Sequence, residues 1–243
     1  MKKYSVFSLI KNAFSKHQDW DVAWRDPEPK KEYDAIIIGG GGHGLATAYY
    51  LAKEYEIKNI AILEKGWIGG GNIGRNTTIL RSNYMHDANN LFYDHGMQMW
   101  KGLSQELNYN VMYSPRGILN LAHSDAQLNA YSRRGNSMRL NGIEASLLGR
   151  EEVRKIIPFA DFTDNARFPI FGGLMQSIGG TARHDAVAWG YARAADDLGV
   201  DIIQHCEVTG FDIVNGSVQG VQTSRGFIKT NKIGLCVAGS TSI

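Results

Sequence analysis

The sequence has 243 residues, and its 26 Lys and Arg residues nearly balance its 24 Asp and Glu residues, leaving a formal charge of +2. This balance excludes a nucleic-acid-binding protein that works by bulk charge, and 43 % hydrophobic with 21 % charged residues exclude a disordered or collagen-like chain. The two cysteines, Cys206 and Cys236, have no metal-ligand spacing, so we expect no disulfide framework and no metal site. No apolar run approaches the roughly 20 residues of a membrane span, and we predict a cytoplasmic protein without membrane or nucleic-acid partners.

The first part of the chain reads as an arm followed by one βαβ unit. Residues 1–32 are polar and are predicted to form an N-terminal arm. The run Asp-Ala-Ile-Ile-Ile at 34–38 stops at glycines, which is typical of a parallel strand buried on both faces. Apolar residues at helical spacing predict a helix over 43–55, and the run at 60–63 predicts a second buried strand.

The turn between the first strand and the helix has the spacing GxGxxG at Gly39, Gly41 and Gly44. Gly39 permits the tight turn, Gly41 lets a pyrophosphate approach the backbone, and Gly44 lets helix and strand pack closely. The pyrophosphate would lie at the helix N-terminus, beside Gly42 and the backbone of His43. The pattern therefore predicts a dinucleotide site, with a His43 ring that faces the cofactor as an alternative to its backbone role.

The end of the second predicted strand narrows the choice of dinucleotide. Glu64, followed by Lys65, stands where a carboxylate can accept hydrogen bonds from both ribose hydroxyls. A carboxylate at this place repels the 2′-phosphate of NADP. FAD and NAD remain.

A second glycine-rich stretch at residues 69–78 favours FAD. FAD spans the crevice, so its ribityl chain and flavin edge need backbone N–H and amide groups, whereas a nicotinamide enzyme has no use for a second polar loop here. The residues of this stretch that we expect to bind the cofactor are Asn72, Arg75, Asn76 and Thr77. An exposed loop without function is the alternative.

The middle of the chain predicts a second domain. Periodicity indicates a helix from Asp87 to Leu107, a strand near 117–121 and a second helix opened by Ser124. We assign 33–84 to the first part of the cofactor domain and 85–170 to this interleaved substrate-domain segment.

Residues 171–243 are expected to resume the cofactor domain, without completing it. A helix over 186–198 and a strand over 200–203 precede three short segments between 207 and 230, whose Asn-Gly and Ser-Arg-Gly turns predict an antiparallel meander. Residues 233–237 predict another buried strand. The predicted fold is α/β, a Rossmann-like FAD-binding domain with an interleaved, incomplete α+β substrate domain. Val208 would contact the adenine and Gly239 the cofactor, with an ordinary meander as the alternative.

His184 is the most informative single histidine. It stands immediately before the apolar helix, and a neutral imidazole is a competent nucleophile. From the residues alone, it is either a reactive group or an ordinary histidine at a helix start.

Three segments together resemble the beta subunits of heterotetrameric sarcosine oxidase. They are 34–64, 69–84 with its run Gly-Asn-Ile-Gly-Arg-Asn-Thr-Thr-Ile-Leu-Arg-Ser-Asn-Tyr, and 180–193. The resemblance implies non-covalent FAD together with a covalent FMN, tethered by the histidine that is matched here by His184. It also implies alpha, gamma and delta subunits as partners.

The resemblance further implies the reaction. Sarcosine would be oxidised by FAD, electrons would pass to FMN and then to oxygen to form hydrogen peroxide, and glycine would be released. A one-carbon unit would be accepted by tetrahydrofolate in a partner subunit.

The sequence also departs from the family pattern. The family's chains continue beyond the strand at Val237, so we expect a fragment that ends at Ile243, before the basic groups for the substrate carboxylate. Ser240 also stands where a bulkier or imidazole side chain is expected. Two alternatives therefore stay open. One is a single-flavin dehydrogenase of dimethylglycine or a related N-methyl amino acid, and the other is a non-catalytic flavin-binding module.

Overall fold

The computed structural model describes residues 5–18, 20 and 22–240, so the expectations for the side chain of Ser240 and for the stretch to Ile243 lie outside the described residues. The helices are α1 (Val6–Phe14), α2 (Gly42–Glu54), α3 (Asp87–Glu106), α4 (Asp125–Leu140), α5 (Arg150–Ile156) and α6 (His184–Asp197). The strands are β1 (Ala35–Ile38), β2 (Ile60–Leu63), β3 (Ile79–Leu80), β4 (Ile118–Ala122), β5 (Ser146–Gly149), β6 (Gly172–Gln176), β7 (Gly180–Thr181), β8 (Asp201–Ile203), β9 (Val208–Val214), β10 (Ser217–Thr223), β11 (Gly226–Lys229) and β12 (Ile233–Leu235). Two short 3-10 turns cover Asn72–Arg75 and Ala238–Ser240.

The chain divides into two compact units. The first comprises the described residues up to Thr77, Gln105–Val111 and the described residues from Arg183 onward, and the second comprises Thr78–Ser104 and Met112–Ala182. These boundaries differ from the expected 33–84, 85–170 and 171–243. Residues 171–182 join the second unit because β6 pairs with β4 and β5, and 78–84 join it because β3 pairs with β7.

The first unit is built on a parallel sheet with the strand order β12-β1-β2-β8. Every residue of β1 and β2 is buried, as expected for strands covered on both faces. Ile37 is paired with Ile62 on one side and with Gly234 on the other. The predicted βαβ unit and the Rossmann-like α/β fold are confirmed.

Helices α2 and α6 pack against each other in the first unit because small residues line both of them. Gly44, Ala48 and Ala52 are buried on α2, and the buried residues of α6 are mostly alanines. The rings of Tyr49 and Tyr191 meet edge to face with centroids 5.7 Å apart. Burial is the main reason that the pKa of both phenols is raised, that of Tyr49 to about 12.

The segment Gln105–Val111 joins the first unit through a buried arginine. The Arg193 guanidinium of α6 donates to the carbonyl oxygen of Asn108 at 3.0 Å and to that of Leu107 at 3.4 Å. A buried charge requires such partners. The sequence periodicity predicts helix α3, but it does not reveal that the chain enters the first unit from Gln105 onward.

The meander of β9, β10 and β11 is antiparallel, as predicted. Asn215 and Gly216 both have positive φ, 51° and 76°, which a tight hairpin turn between right-twisted strands requires. Val221 and Ile228 face the core cluster that also contains Ile36 and Leu63.

The second unit is α+β, with an antiparallel sheet in the order β4-β6-β5. Helix α4 begins after Ser124, whose Oγ accepts from the N–H of Gln127 at 3.2 Å, so the predicted helix start is confirmed. Met138 of α4 packs with Leu174 of β6 in the core of this unit.

The arm contains a helix, α1, that the polar composition of residues 1–32 did not lead us to expect. Further along, Lys30 forms a 2.7 Å ion pair with the buried carboxylate of Asp201, and Arg25 binds both Asp196 and Asp201. Tyr33 donates to the same carboxylate at 3.0 Å. These contacts anchor the end of the arm on β8.

Within the described ranges no helix is long and apolar enough to cross a membrane. Among the same residues, no group of three or more His, Cys, Asp or Glu side chains could hold a metal ion.

Candidate cofactor site

The glycines of the first cluster differ in their surroundings. Gly39 has φ +106°, and a Cβ added there would lie 2.5 Å from the carbonyl oxygen of Cys236. A Cβ on Gly44 would collide with the carbonyl oxygen of Gly39. A Cβ on Gly41 would meet no described atom within 4 Å. Gly39 and Gly44 therefore make the turn and the packing possible, while Gly41 leaves the backbone open to a ligand.

The start of α2 supplies hydrogen-bond donors at the same place. The first helical bond runs from the N–H of Leu45 to the carbonyl oxygen of Gly41 at 3.0 Å. The N–H groups of Gly42, His43 and Gly44 therefore precede the helical ladder, and the helix dipole adds partial positive charge there. The His43 side chain is exposed. This end of the helix is suited to an anionic pyrophosphate.

Glu64 joins the two loops that follow β1 and β2. Its Oε2 accepts from the N–H of Gly40 at 2.7 Å, and its Oε1 accepts from the N–H of Gly66 at 2.8 Å. An ionised carboxylate has about four acceptor positions, so both oxygens retain capacity for ribose hydroxyls. Lys65 beside it is exposed.

The second glycine-rich stretch folds as a 3-10 turn, Asn72–Arg75, against α2. The Ile73 side chain packs against the first residue of α2, since a Cβ added to Gly42 would lie 2.8 Å from Cδ1 of Ile73. Asn76 Nδ2 donates to the carbonyl oxygen of Ile73 at 2.8 Å, so this amide holds the turn itself. Asn72, Arg75 and Thr77 are exposed.

His184 is the first residue of α6 and follows the N-cap Arg183. Its Nδ1 is buried and has no hydrogen-bond partner among the described residues. Such an atom is costly to leave unsatisfied. The neighbouring carboxyl of Asp185 is paired with Arg183, whose hydrogen bonds lower the pKa of Asp185. Because α6 also contacts the 3-10 turn Asn72–Arg75, the fold brings this helix beside the second glycine-rich loop.

Val208 and Gly239 occupy less distinctive positions. Val208 is half-buried against the core cluster of the first unit. Gly239 lies in the 3-10 turn after β12, and β12 ends beside β1 at the same sheet edge as Gly39. Ligands of open parallel sheets bind at this carboxyl edge.

Two residues of the site were missed from the sequence. Ile73 connects the two loops, and Gln204 accepts the N–H of Ile68 at 2.9 Å and so holds the start of the second loop. An apolar side chain within a polar glycine-rich loop is a signal that could have identified Ile73.

The second unit has a polar cavity of its own, of about 330 Å³, which the sequence did not predict. Two arginines, Arg81 and Arg134, line it. Arg81 donates to Asn83 Oδ1 at 2.7 Å, and its guanidinium stacks over the Tyr84 ring at 4.6 Å. Asn83 Nδ2 in turn donates a hydrogen bond to Asn120 Oδ1.

Comparison with known proteins identifies the fold family. The sequence profile described as FAD dependent oxidoreductase matches residues 34–242. The chain belongs to the FAD-dependent oxidoreductase family. This membership confirms the prediction of FAD, and the residues at the carboxyl edge of the parallel sheet fit that cofactor because they combine an open glycine, free helix-start donors and a carboxylate.

Within this family, two relatives and one solved structure illustrate the similarity. The chain is 62 % identical over 240 residues to sarcosine oxidase subunit beta of Rhizobium meliloti, covering 99 % of the chain and 58 % of the relative. It is 51 % identical over 243 residues to the protein of the same name from Rhodobacter capsulatus, covering 100 % and 58 %. The crystal structure of L-proline dehydrogenase from P. horikoshii matches with a TM-score of 0.78 at 25 % identity, covering 86 % of the chain and 54 % of that structure. The flavoprotein chain thus spans 58 % of the length of these curated relatives.

Proposed function

We propose that this chain is the FAD-binding part of a sarcosine oxidase subunit beta, which oxidises sarcosine together with its partner subunits. The contact of Ile73 with the first turn of α2 carries the proposal, because it brings both glycine-rich loops to the carboxyl edge of the parallel sheet. Similarity to two proteins named sarcosine oxidase subunit beta supports the substrate. The proposed products are glycine, a one-carbon unit and hydrogen peroxide.

FAD, when bound, supplies the acceptor for a hydride from the amine carbon. The chain's part is to bind and orient. Helix-start N–H groups at Gly42 and His43 would hold the pyrophosphate, and Glu64 would accept from the ribose hydroxyls. Further contacts with the cofactor are proposed for Lys65, which follows Glu64, for four residues of the second glycine-rich loop and for two residues late in the chain. The loop residues are Asn72, Arg75, Asn76 and Thr77, and the late residues are Val208 and Gly239.

We further propose that His184 carries a covalent FMN. The support is the buried Nδ1 that lacks a partner at the start of α6. A bond between the imidazole and the flavin would anchor FMN beside the second glycine-rich loop, and electrons from sarcosine would reach oxygen through it.

The cavity of the second unit is proposed to bind the substrate carboxylate. Arg81 and Arg134 supply cationic donors, and a guanidinium binds a carboxylate with two parallel hydrogen bonds. The stacking of Arg81 on Tyr84 and its bond to Asn83 fix the orientation of the donor. The expectation that basic groups for the carboxylate lie in the part of the family's chain beyond Ile243 is the alternative to this assignment.

The partners belong to the proposal as well. The name "subunit beta" of the relatives indicates that they are members of multi-subunit enzymes. We propose alpha, gamma and delta subunits as partners, tetrahydrofolate as the acceptor of the one-carbon unit in one of them, and a cytoplasmic location.

The test uses the assembled enzyme with its bound flavins. Anaerobic sarcosine should bleach the flavin absorbance, and acid precipitation should release FAD while FMN stays with the protein. His184→Ala should release all flavin, whereas the variant His43→Ala, at an exposed histidine, should retain FMN.

A colourless wild-type protein would contradict the whole proposal. Bleaching by dimethylglycine alone, with a single flavin, would instead favour the single-flavin dehydrogenase, and absence of bleaching by any N-methyl amino acid would favour a non-catalytic module.

A further inference from the structure

Gln176, the last residue of β6, is a buried polar residue of the second unit that the proposed function does not use. Its side chain is fully enclosed, as are those of Ser82 and Asn83. A buried amide is costly unless hydrogen bonds satisfy it. The partners of Gln176 therefore indicate what this residue holds in place.

The amide of Gln176 binds Ser82 at two points. Its Oε1 accepts from the backbone N–H of Ser82 at 3.1 Å, and its Nε2 donates to Ser82 Oγ at 2.6 Å. Ser82 belongs to the segment between β3 and α3, which is neither strand nor helix. A buried N–H of such a segment needs a partner from another part of the chain. Gln176 therefore fixes the backbone immediately after Arg81.

Asn83 fixes the guanidinium of Arg81 from the other side of Ser82. Asn83 Oδ1 accepts from Nη1 of Arg81 at 2.7 Å, and Asn83 Nδ2 donates to Asn120 Oδ1 on β4. Strands β4 and β6 are paired in one antiparallel sheet. The two amides that hold the segment, those of Gln176 and Asn120, thus come from adjacent strands of a single sheet.

The groups that hold Arg81 are neutral. Gln176, Ser82, Asn83 and Asn120 supply only amide and hydroxyl groups. Among the described residues that line the cavity, none is acidic. An aspartate or glutamate beside the guanidinium would compete with a ligand carboxylate for it, whereas a bond to an amide leaves the positive charge available. The network therefore orients Arg81 without neutralising it.

We propose that Gln176 is a positioning residue for the substrate carboxylate, which acts through Ser82 and Asn83 to hold the Arg81 guanidinium at the cavity. This inference rests on the proposed function, in which Arg81 binds that carboxylate. Holding the donor in place before the ligand arrives lowers the ordering cost of binding. Gln176 is not among the described residues that line the cavity, so its effect on the ligand has to pass through Arg81.

The experiment measures the binding of acetate, a carboxylate without an amine, to the assembled enzyme with its bound flavins. Gln176→Met keeps the length of the side chain and removes the amide, and it should weaken acetate binding roughly tenfold in saturation-transfer NMR. Arg81→Leu should weaken it by roughly tenfold or more. Gln176→Met/Arg81→Leu should bind acetate no more weakly than Arg81→Leu alone. A purely structural role for Gln176 predicts instead that the two losses add.

Gln127→Met is the matched control. Gln127 Oε1 also accepts from a backbone N–H of the second unit, that of His123 at 2.6 Å, and Gln127 is not among the described residues that line the cavity. This variant should keep wild-type acetate affinity. If Gln176→Met does not fold, Ser82→Ala removes one of the two bonds to Gln176. Ser82→Ala should weaken acetate binding roughly threefold, again with no added loss in the Arg81→Leu background.

Three results would overturn the inference: wild-type acetate affinity in Gln176→Met, a loss that adds to that of Arg81→Leu, or acetate binding that does not depend on Arg81. With sarcosine, KM of the same variants should follow the acetate affinity, and kcat should change much less. A wild-type enzyme that binds acetate through this network without oxidising sarcosine would refute the proposed function and leave the positioning role intact. Oxidation of sarcosine with additive acetate losses would refute only the positioning role.

Discussion

Ile73 Cδ1 lies 2.8 Å from the position that a Cβ on Gly42 would take. The absence of a side chain at the first position of α2 therefore lets the second glycine-rich loop close against the first. Two loops that are separate in sequence become the two sides of one site at the carboxyl edge of the sheet.

Gly42→Ala should destabilise the protein by about 1–3 kcal/mol, because the added methyl group overlaps Ile73. Combining it with Ile73→Ala should recover part of this loss, since the second change removes the colliding atoms. Urea denaturation of the four proteins of this double-mutant cycle measures the coupling. Strict additivity of the two changes would show that the loops are not in contact.

Gly41→Ala should weaken FAD binding without affecting stability, whereas Gly44→Ala should lower the stability of the protein itself. The Cβ at position 41 meets no described atom, so this variant should unfold like the wild type but bind FAD at least roughly tenfold more weakly. The Cβ at position 44 collides with the Gly39 carbonyl oxygen, so that variant should lose about 2 kcal/mol or more of stability without ligand. Equal FAD affinity of Gly41→Ala and the wild type, measured by fluorescence titration, would remove Gly41 from the site.

Glu64→Gln should weaken both the loop structure and FAD binding. The amide group of glutamine has one acceptor oxygen, so either the Gly40 or the Gly66 N–H loses its partner, at a cost of about 1–3 kcal/mol. Added FAD should stabilise this variant less than the wild type in thermal unfolding at the same ligand concentration. Lys65→Gln, at the exposed neighbouring position, should leave the apo melting temperature unchanged. An equal stabilisation of Glu64→Gln and wild type by FAD would contradict the ribose role.

Tyr33→Phe should make the free energy of unfolding fall less steeply with rising pH in the alkaline range. Burial, as the largest cause, raises the pKa of Tyr33 to about 12 from the usual 10.0. The folded state therefore holds the phenol proton more tightly than the unfolded state. The resulting contribution of Tyr33 to the free energy of unfolding is complete below pH 10 and is lost as the pH rises toward 12. Unfolding free energies between pH 9 and 12 should decline less steeply in Tyr33→Phe than in the wild type. The variant also loses the hydrogen bond to Asp201, so only the slope, and not the absolute stability, tests the prediction.

Arg81→Leu in the assembled enzyme should raise KM for sarcosine by roughly tenfold or more, because a charged hydrogen bond to the carboxylate is lost. The FAD content should stay at the wild-type level, since Arg81 belongs to the cavity of the second unit. Arg134→Leu tests the second guanidinium in the same way. Steady-state kinetics with unchanged KM in both variants would show that the carboxylate binds elsewhere.

The sequence by itself determined the elements that depend on local patterns. The apolar runs of β1 and β2, the turn at Gly39, the N-cap Ser124 and the Asn215–Gly216 hairpin turn are each specified by neighbours in the chain, and each is present as predicted.

Only the tertiary structure decided which segments belong together. Strand β6 begins with Gly172 and Gly173, residues that weaken a strand prediction. The fold needs them because a Cβ on Gly172 would collide with the carbonyl oxygen of Leu148, and one on Gly173 would lie 2.9 Å from that of Asn120. Such close approaches between distant strands have no local signal. The same reason applies to the buried Nδ1 of His184, whose lack of a partner is a property of its surroundings in the fold.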